Sequence, residues 1–348
     1  MSEVGMGRVV LVTGVAGSLG SETARRLAAD AAVDKVVGVD VLPPRGDLGA
    51  VRFVRADIRN PVIAKVLAVE DVDTVAHLSV STSPVTGGRT TGRTSVKEAN
   101  VIGTMQLLAA CQRAPGVRRL VLKSSTAVYG SSPRDPAIFT ENTALKSPRG
   151  SGHAKDFAEV EGYVRGFSRR RPDIAVTVLR CADILGGQLG TPLEQYLQLS
   201  VLPTVLGFDP RLQLLDVEDA LEVIHRAVVV DHPGTYNVAA DGVLVLSQVL
   251  RRLGKLTVAV PSIAVGTVGR ALRHTSRLDL NGDFIAFLTH GTAVDTMALR
   301  AEFDWTPRWA GAQTLERFAE LVGHGPVTAD RVRHVEQSLA AVLTSRGW

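Results

Sequence analysis

The chain has 348 residues, of which 45% are hydrophobic and 21% are charged, a composition that fits a well-buried globular protein and excludes a disordered or fibrous one. The formal net charge of +4 comes from scattered basic residues, and no run reaches the ~20 apolar residues that span a bilayer, so we expect neither a nucleic-acid nor a membrane partner. The cysteines, Cys111 and Cys181, lack metal-ligand or disulfide spacing, which argues against a metal site and favours a cytoplasmic location.

Short β-branched runs alternate with amphipathic segments of helical length through the first half of the chain, the pattern of βαβ units. Strands are predicted at residues 8–13, 35–39, 51–55, 74–78, 119–124 and 177–180. We therefore predict an α/β fold in which a Rossmann domain over residues 8–182, a doubly wound parallel sheet, binds a dinucleotide. Residues 183–348 are predicted to form a smaller C-terminal α+β lobe that binds the substrate.

The second region contains a strand-like GTYNVA at 234–239 and a predicted helix over 312–322. Its most apolar run, at 256–269, is interrupted by Pro261 and two glycines. Because proline and glycine interrupt regular structure, we interpret this run as a loop or covering segment.

A glycine-rich turn separates the first predicted strand from a helical pattern. Gly14, Gly17 and Gly20 have the spacing that allows a tight turn, a close approach to a pyrophosphate and close packing of helix on strand. The following helix N-terminus favours negative charge. We therefore expect Gly14, Gly17, Ser18, Leu19 and Gly20 to bind the phosphates of a dinucleotide.

Acidic residues end the second and third predicted strands. Asp40, 20 residues after Gly20, can accept hydrogen bonds from the adenosine ribose and would repel a 2′-phosphate, which favours NAD over NADP. A loop-capping role for Asp40 and a 2′-phosphate contact from Arg45 are the alternatives. Asp57 and Ile58 lie where an adenine ring would be bracketed, although Asp57 could instead be a turn former.

Further motifs follow the glycine turn. They are ADIR at 56–59, HLS at 77–79, NVIGT at 100–104, SSTAVYG at 124–130, DVEDA at 216–220, GTYNVA at 234–239 and FDWTP at 303–307. With the glycine turn and Asp40, this series resembles the extended short-chain dehydrogenase/reductases of the NAD-dependent epimerase/dehydratase group. The resemblance implies that Leu78, Ser79 and Asn100 also bind the cofactor and that Ser125 polarises a substrate hydroxyl or carbonyl.

In that family a Tyr-x-x-x-Lys pair does the chemistry, because the lysine binds the nicotinamide ribose and lowers the pKa of the tyrosine. Lys155 and Glu159 match the family's helix pattern, which places Ser151 at the tyrosine position. A serine hydroxyl is shorter and far less acidic than a phenol of pKa about 10, so it cannot replace tyrosine. We expect His153 to face away from Lys155 and Tyr163 to be a packing residue. The positions that correspond to the family's catalytic residues are therefore Ser125, Lys155 and Ser151.

The family's substrate motifs are altered as well. Its Arg-x-x-Asn after the sixth strand is Arg180-Cys181-Ala182-Asp183 here, and an aspartate would repel an anionic diphosphate. We therefore expect a small-molecule substrate that carries less charge than a nucleotide sugar.

Two functions from different classes fit these residues. The first is an atypical NAD-binding epimerase, dehydratase or oxidoreductase that acts on a hydroxyl- or carbonyl-bearing small molecule, by a non-redox proton transfer, a dehydration or a cyclisation. The alternative is a non-catalytic NAD-binding sensor or scaffold. Ser125 and Lys155 favour the enzyme, because a sensor needs only the phosphate turn and Asp40. The resemblance also implies a homodimer formed through the helices that hold Asn100 and Lys155.

Overall fold

The structure, a computed structural model, describes residues 8–81, 96–145, 152–262, 264 and 281–325. It contains a sheet of seven parallel strands, which are β1 (Val9–Thr13), β2 (Lys35–Asp40), β3 (Arg52–Arg55), β4 (Thr74–His77), β5 (Arg119–Ser125), β6 (Ala175–Cys181) and β11 (Gly234–Val238). Their order across the sheet is β11-β6-β5-β4-β1-β2-β3. The order reverses between β1 and β4, and the crevice at the carboxyl ends there is the usual ligand site of doubly wound sheets.

Helices cover both faces of this sheet. One group that packs together is α2 (Val62–Val69), α3 (Gly103–Arg113) and α4 (His153–Arg170), and α1 (Ser18–Ala28) and α6 (Val217–Val229) form the other. A π-helical turn at Glu98–Ile102 leads into α3, and a 3₁₀ turn at Thr126–Tyr129 follows β5. β4 is buried throughout, as expected for a parallel strand covered on both faces.

The fold class predicted from the sequence is confirmed. All six predicted strands form, with ends within two residues of those predicted. The seventh strand, β11, comes from the GTYNVA segment and pairs in parallel with β6, while α6 packs on the same sheet. The chain therefore returns to the large sheet after it has entered the second lobe.

The second lobe has its own apolar core, formed by residues such as Leu193, Tyr196 and Leu315. Its strands are β7 (Asp183–Leu185), β8 (Val201–Val205), β9 (Arg211–Leu212), β10 (Leu214–Asp216), β12 (Leu244–Val245), β13 (Leu256–Val260) and β14 (Gly291–Thr292). Further helices in the described part of the chain are α5 (Pro192–Leu197), α7 (Leu246–Arg252), α8 (Gly282–His290), α9 (Met297–Phe303) and α10 (Gly311–Val322), and α10 confirms the predicted C-terminal helix. No helix within the described ranges is long and apolar enough to cross a bilayer.

The interpretation of residues 256–269 as a loop is wrong for Leu256–Val260. This segment is strand β13, which pairs in parallel with β8. Four of its five residues are exposed, so it has no buried face to impose the alternation by which a half-buried strand is recognised.

Candidate cofactor and active site

Three glycines close the turn between β1 and α1. Gly14 has φ +85°, which favours glycine, and a Cβ there would lie 2.9 Å from the Cα of Ser79. A Cβ on Gly20 would overlap the Gly14 carbonyl oxygen, to which the Gly17 N–H donates at 3.1 Å. α1 begins at Ser18 with no acidic residue in its first turn. The turn thus fits a pyrophosphate, because the backbone can approach closely and the helix N-terminus carries no competing carboxylate.

The first turn of α1 borders a cavity of about 430 Å³. Ala16, Ser18 and Arg45 line it, and the Ser18 hydroxyl donates to the Gln188 carbonyl at 3.1 Å. Leu19 is instead partly buried against the sheet core. Arg45, exposed on the loop after β2, lines the same cavity as Ala16, whose N–H donates to the Asp40 carboxylate.

Asp40 is the last residue of β2, and its carboxylate is directed back to the glycine turn. Its Oδ2 accepts a hydrogen bond from the Ala16 N–H at 3.0 Å, and its Oδ1 accepts one from the Leu42 N–H at 3.2 Å. The side chain is half-buried. A ribose beside the turn would therefore meet a fixed acceptor.

Asp57 and Ile58 follow β3 and have different surroundings. Asp57 forms an ion pair with Arg59 at 2.6 Å, and this hydrogen-bonded guanidinium lowers the pKa of Asp57. Ile58 packs so closely on Gly103 that a Cβ at Gly103 would lie 2.8 Å from the Ile58 Cδ1. The two side chains are thus held in place at the edge of the sheet beyond β2.

A hydrogen-bonded chain links β1, β4 and α3 beneath the turn. The Thr13 Oγ1 lies 2.9 Å from the His77 Nδ1, and the His77 Nε2 lies 2.9 Å from the Thr104 Oγ1. Burial lowers the pKa of His77 to about 4, so the imidazole is neutral near pH 7. The N–H groups of Leu78 and Ser79 donate to the Thr13 Oγ1 at 3.1 and 3.3 Å. These contacts hold Leu78 and Ser79 beside the glycine turn.

Asn100 lies buried in the π-helical turn and is bonded to the segment that leaves β4. Its Oδ1 accepts from the Ser81 N–H at 3.1 Å, and its Nδ2 donates to the Ser81 carbonyl at 2.8 Å. The side-chain amide therefore fixes the backbone just after Ser79.

The predicted catalytic residues belong to β5 and to the start of α4. Ser125 ends β5 half-buried, and its Oγ accepts from the Ala127 N–H at 3.2 Å. Lys155 is half-buried in the first turn of α4, Ser151 lies outside the described residues, and Tyr163 is 40% exposed. The roles assigned to Ser125, Lys155 and Ser151 stay predictions.

A buried polar network that sequence analysis missed lies below these residues. Glu161 of α4 accepts from the Ser124 hydroxyl at 2.6 Å and forms an ion pair with Arg180 at 2.6 Å. Arg180 also donates to the Tyr129 hydroxyl at 2.8 Å, and that hydroxyl donates to Asn237 at 2.7 Å. The network joins the SSTAVYG motif, the segment that begins at Arg180 and the GTYNVA motif. The sequence signal for it is the position of Glu161, a charged residue on the apolar face of α4.

Lys123 and Asp183 are two further ionisable residues that sequence analysis did not place in the site. Lys123 lies two residues before Ser125, and its Nζ is 5.7 Å from the ring centroid of Phe157 on α4. Burial lowers the pKa of Lys123, and burial raises the pKa of Asp183 to about 7 against the opposing effect of the Lys123 charge. Both side chains are half-buried.

The second lobe holds the start of α4. The Asp283 Oδ2, in the first turn of α8, accepts from the Ala154 N–H at 3.1 Å. A Cβ on Gly152 would overlap the same carboxylate, which explains a glycine there. Asp283 thus acts as a cap supplied by another element, and it connects the two lobes at the site.

The sheet and its glycine turn define a Rossmann fold of the kind that binds dinucleotides. The chain belongs to the NAD dependent epimerase/dehydratase family, whose model matches residues 10–239. This finding confirms the resemblance on which the sequence analysis relied.

Relatives in sequence and in structure agree with this assignment. An uncharacterized protein of Mycobacterium tuberculosis is 43% identical over 324 residues, which cover 92% of this chain and 85% of that protein. A probable UDP-arabinose 4-epimerase of Oryza sativa subsp. japonica is 30% identical over 199 residues, 52% of this chain and 47% of its own length.

Two solved structures share the fold. The dTDP-glucose 4,6-dehydratase of Bacillus anthracis, in complex with NAD, superposes with a TM-score of 0.68 at 21% identity, covering 90% of this chain and 96% of that one. The UDP-glucose 4-epimerase of Thermotoga maritima, with UDP-glucose, gives a TM-score of 0.69 at 16% identity, covering 90% and 98%.

Proposed function

We propose that this protein is an NAD-binding enzyme of the extended short-chain dehydrogenase/reductase kind that acts on a hydroxyl- or carbonyl-bearing small molecule. A bound nicotinamide would supply hydride exchange, and the chain's own residues would bind the nucleotide, orient the substrate and move a proton. The family and the NAD-bound dehydratase of the same fold support the choice of cofactor.

The position of Ser125 carries the proposal. Ser125 ends β5, two strands away from β1, whose end leads into the glycine turn, so both lie at the carboxyl edge of one parallel sheet. Lys123 and Asp183 add two half-buried ionisable groups near the same edge. Ionisable groups whose pKa values are shifted by burial at this edge of the sheet favour an enzyme over a protein that only senses the dinucleotide.

NAD is the proposed form of the cofactor. The Asp40 carboxylate stands beside the turn, where it would accept from ribose hydroxyls and repel a 2′-phosphate. Arg45, exposed nearby, is the group that would favour NADP.

The proposed substrate carries no nucleotide diphosphate. Arg180 is 3% exposed and committed to Glu161 and Tyr129, so it offers no free guanidinium to a phosphate. Asp183 replaces the family's asparagine. Uncharged hydroxyl- or carbonyl-bearing compounds suit these groups better than a diphosphate does.

The experiment incubates the NAD⁺-loaded protein with aldoses, polyols and UDP-glucose, and it follows both NADH formation and deuterium uptake from D₂O. We expect turnover of a compound without a diphosphate. Replacement of Ser125 by Ala should reduce the rate about a hundredfold, the typical contribution of such a donor, and leave NAD⁺ affinity unchanged. Tight NAD⁺ binding with no turnover or exchange of any compound would favour the sensor, and exclusive turnover of UDP-glucose would refute the substrate class.

We also propose a homodimer formed through α3 and α4. Met105 of α3, Tyr163 of α4 and Ile102, at the end of the π-helical turn that leads into α3, are each about 40% exposed. Gly162 and Gly166 lie on the same part of α4, where small residues would let a partner helix approach closely. An exposed apolar patch of this kind is typical of an interaction surface.

A further inference from the structure

α4 contacts the sheet through Phe157 and Glu161, and His153, four residues before Phe157, continues the same helical face. Phe157 is fully buried, and Glu161 is 4% exposed and bonded to groups of β5 and β6. Glu159 is instead half-exposed and pairs with Lys97 at 3.5 Å. Positions two apart on a helix point in nearly opposite directions, so the sheet-facing glutamate is Glu161 and not Glu159.

The position of Glu161 shifts the alignment of α4 with the family motif by two residues, relative to the alignment on Lys155 and Glu159. In the family motif, the tyrosine, the lysine and the glutamate follow one another at intervals of four residues. If the glutamate of this motif is Glu161, then Phe157 stands at the lysine position and His153 at the tyrosine position. Phe157 carries no charge, so the cation at this point has to come from another element.

Lys123 of β5 provides a cation at this position. Its Nζ lies 5.7 Å from the centre of the Phe157 ring, within the range of a cation–π contact. Burial lowers the pKa of Lys123 and the nearby Asp183 carboxylate opposes this effect, and Asp183 lies two residues after Cys181, the cross-strand partner of Ser125. The ammonium is thus located between the ends of β5 and β6 and the beginning of α4.

We propose that Lys123, and not Lys155, is the cation that binds the nicotinamide ribose, and that His153, one helical turn before Phe157, is the residue that moves the proton. This inference rests on the proposed function. An ammonium group has three N–H donors for ribose hydroxyls, and a neutral imidazole nitrogen can take a proton and return it near pH 7. In the transfer, the substrate O–H bond breaks, an N–H bond forms on the imidazole, and the electron pair stays on the substrate oxygen.

Asp283 supports this placement of His153. By accepting from the N–H of Ala154, the next residue, it fixes the backbone at the start of α4. The second lobe therefore fixes the backbone beside His153 at the start of α4.

The test is calorimetric titration of NAD⁺ into four proteins whose folding is checked by thermal melting: the wild type, Lys123→Met, Lys155→Met and the surface control Lys65→Met. We expect NAD⁺ to bind Lys123→Met at least tenfold more weakly, and both other variants within twofold of the wild type. Equal losses in Lys123→Met and Lys155→Met, or a loss in Lys155→Met alone, would overturn the assignment. Lys123→Gln serves as a second variant should the methionine protein not fold.

His153 is tested without a substrate. We expect its imidazole resonances, assigned by their disappearance in His153→Gln, to shift when NAD⁺ binds to the wild type, whereas His153→Gln should keep wild-type NAD⁺ affinity. Resonances that do not move would overturn the role of His153. A wild-type protein that bound no NAD⁺ would overturn the proposed function itself, and this inference with it.

Discussion

At the residue scale, the cofactor half of the site was the part most open to prediction from sequence. The three glycines were predicted from their spacing, and at Gly14 and Gly20 the backbone leaves no room for a Cβ. Asp40 was recognised by its distance from the turn. The contacts of His77 could not be deduced, since a buried histidine bonded to two threonines has no sequence pattern of its own.

The proposed preference for NAD over NADP depends on the charge of Asp40. Asp40→Asn keeps the size of the side chain but removes the repulsion of a 2′-phosphate, so NAD⁺ should bind about tenfold more weakly, a change of ~1.4 kcal/mol, and NADP⁺ should bind more tightly than to the wild type. Calorimetry with both nucleotides measures the effect. Asp34→Asn, the same change in an exposed residue just before β2, is the control. If Asp40→Asn bound NAD⁺ and NADP⁺ with wild-type affinities, the adenosine ribose would not contact Asp40.

At the scale of elements, strand prediction succeeded where burial imposes a pattern. β-branched runs gave the six strands of the large sheet, but the exposed strand β13 was missed. The alignment of α4 with the family's Tyr-x-x-x-Lys motif has the same limit. Lys155 and Glu159 match the motif in the sequence. The proposed alignment on Glu161 depends instead on its contacts with Arg180 and Ser124. Contacts between distant segments of this kind are not visible in one sequence.

The network around Glu161 joins α4 to the sheet and should contribute strongly to stability. Glu161→Gln removes one partner of a buried ion pair and leaves Arg180 uncompensated, so we expect the free energy of unfolding to fall by about 3–5 kcal/mol. Urea denaturation gives this value. Glu159→Gln, the same substitution on a half-exposed face of the same helix, should change it by less than ~0.5 kcal/mol. A Glu161→Gln protein as stable as the Glu159→Gln control would contradict the network's structural role.

At the scale of the whole molecule, the second lobe is attached to the first through specific polar contacts. Asp219 of α6 accepts from the N–H groups of Arg308 and Trp309 at 3.0 and 3.4 Å, and Asp216 forms an ion pair with Arg317 at 2.8 Å. The DVEDA motif is therefore connected in space to the two residues that directly follow FDWTP. The sequence indicated that both motifs belong to one family pattern, but it did not reveal this contact.

The proposed dimer is the prediction that belongs to this scale. Met105, 43% exposed on α3, is expected to be covered by the partner, so Met105→Arg should shift the protein from dimer to monomer in analytical ultracentrifugation. Met297→Arg, at a position 73% exposed on α9, should leave the dimer intact. A wild type that sediments as a monomer, or a Met105→Arg protein that stays dimeric, would refute this interface.

The central claim is that the glycine turn and Asp40 bind a nicotinamide dinucleotide. Titration of NAD⁺ into the folded wild-type protein, followed by calorimetry, tests it most directly. We predict saturable binding of one NAD⁺ per chain, lost when Gly14 is replaced by Val. Absence of heat with both NAD⁺ and NADH would contradict the account.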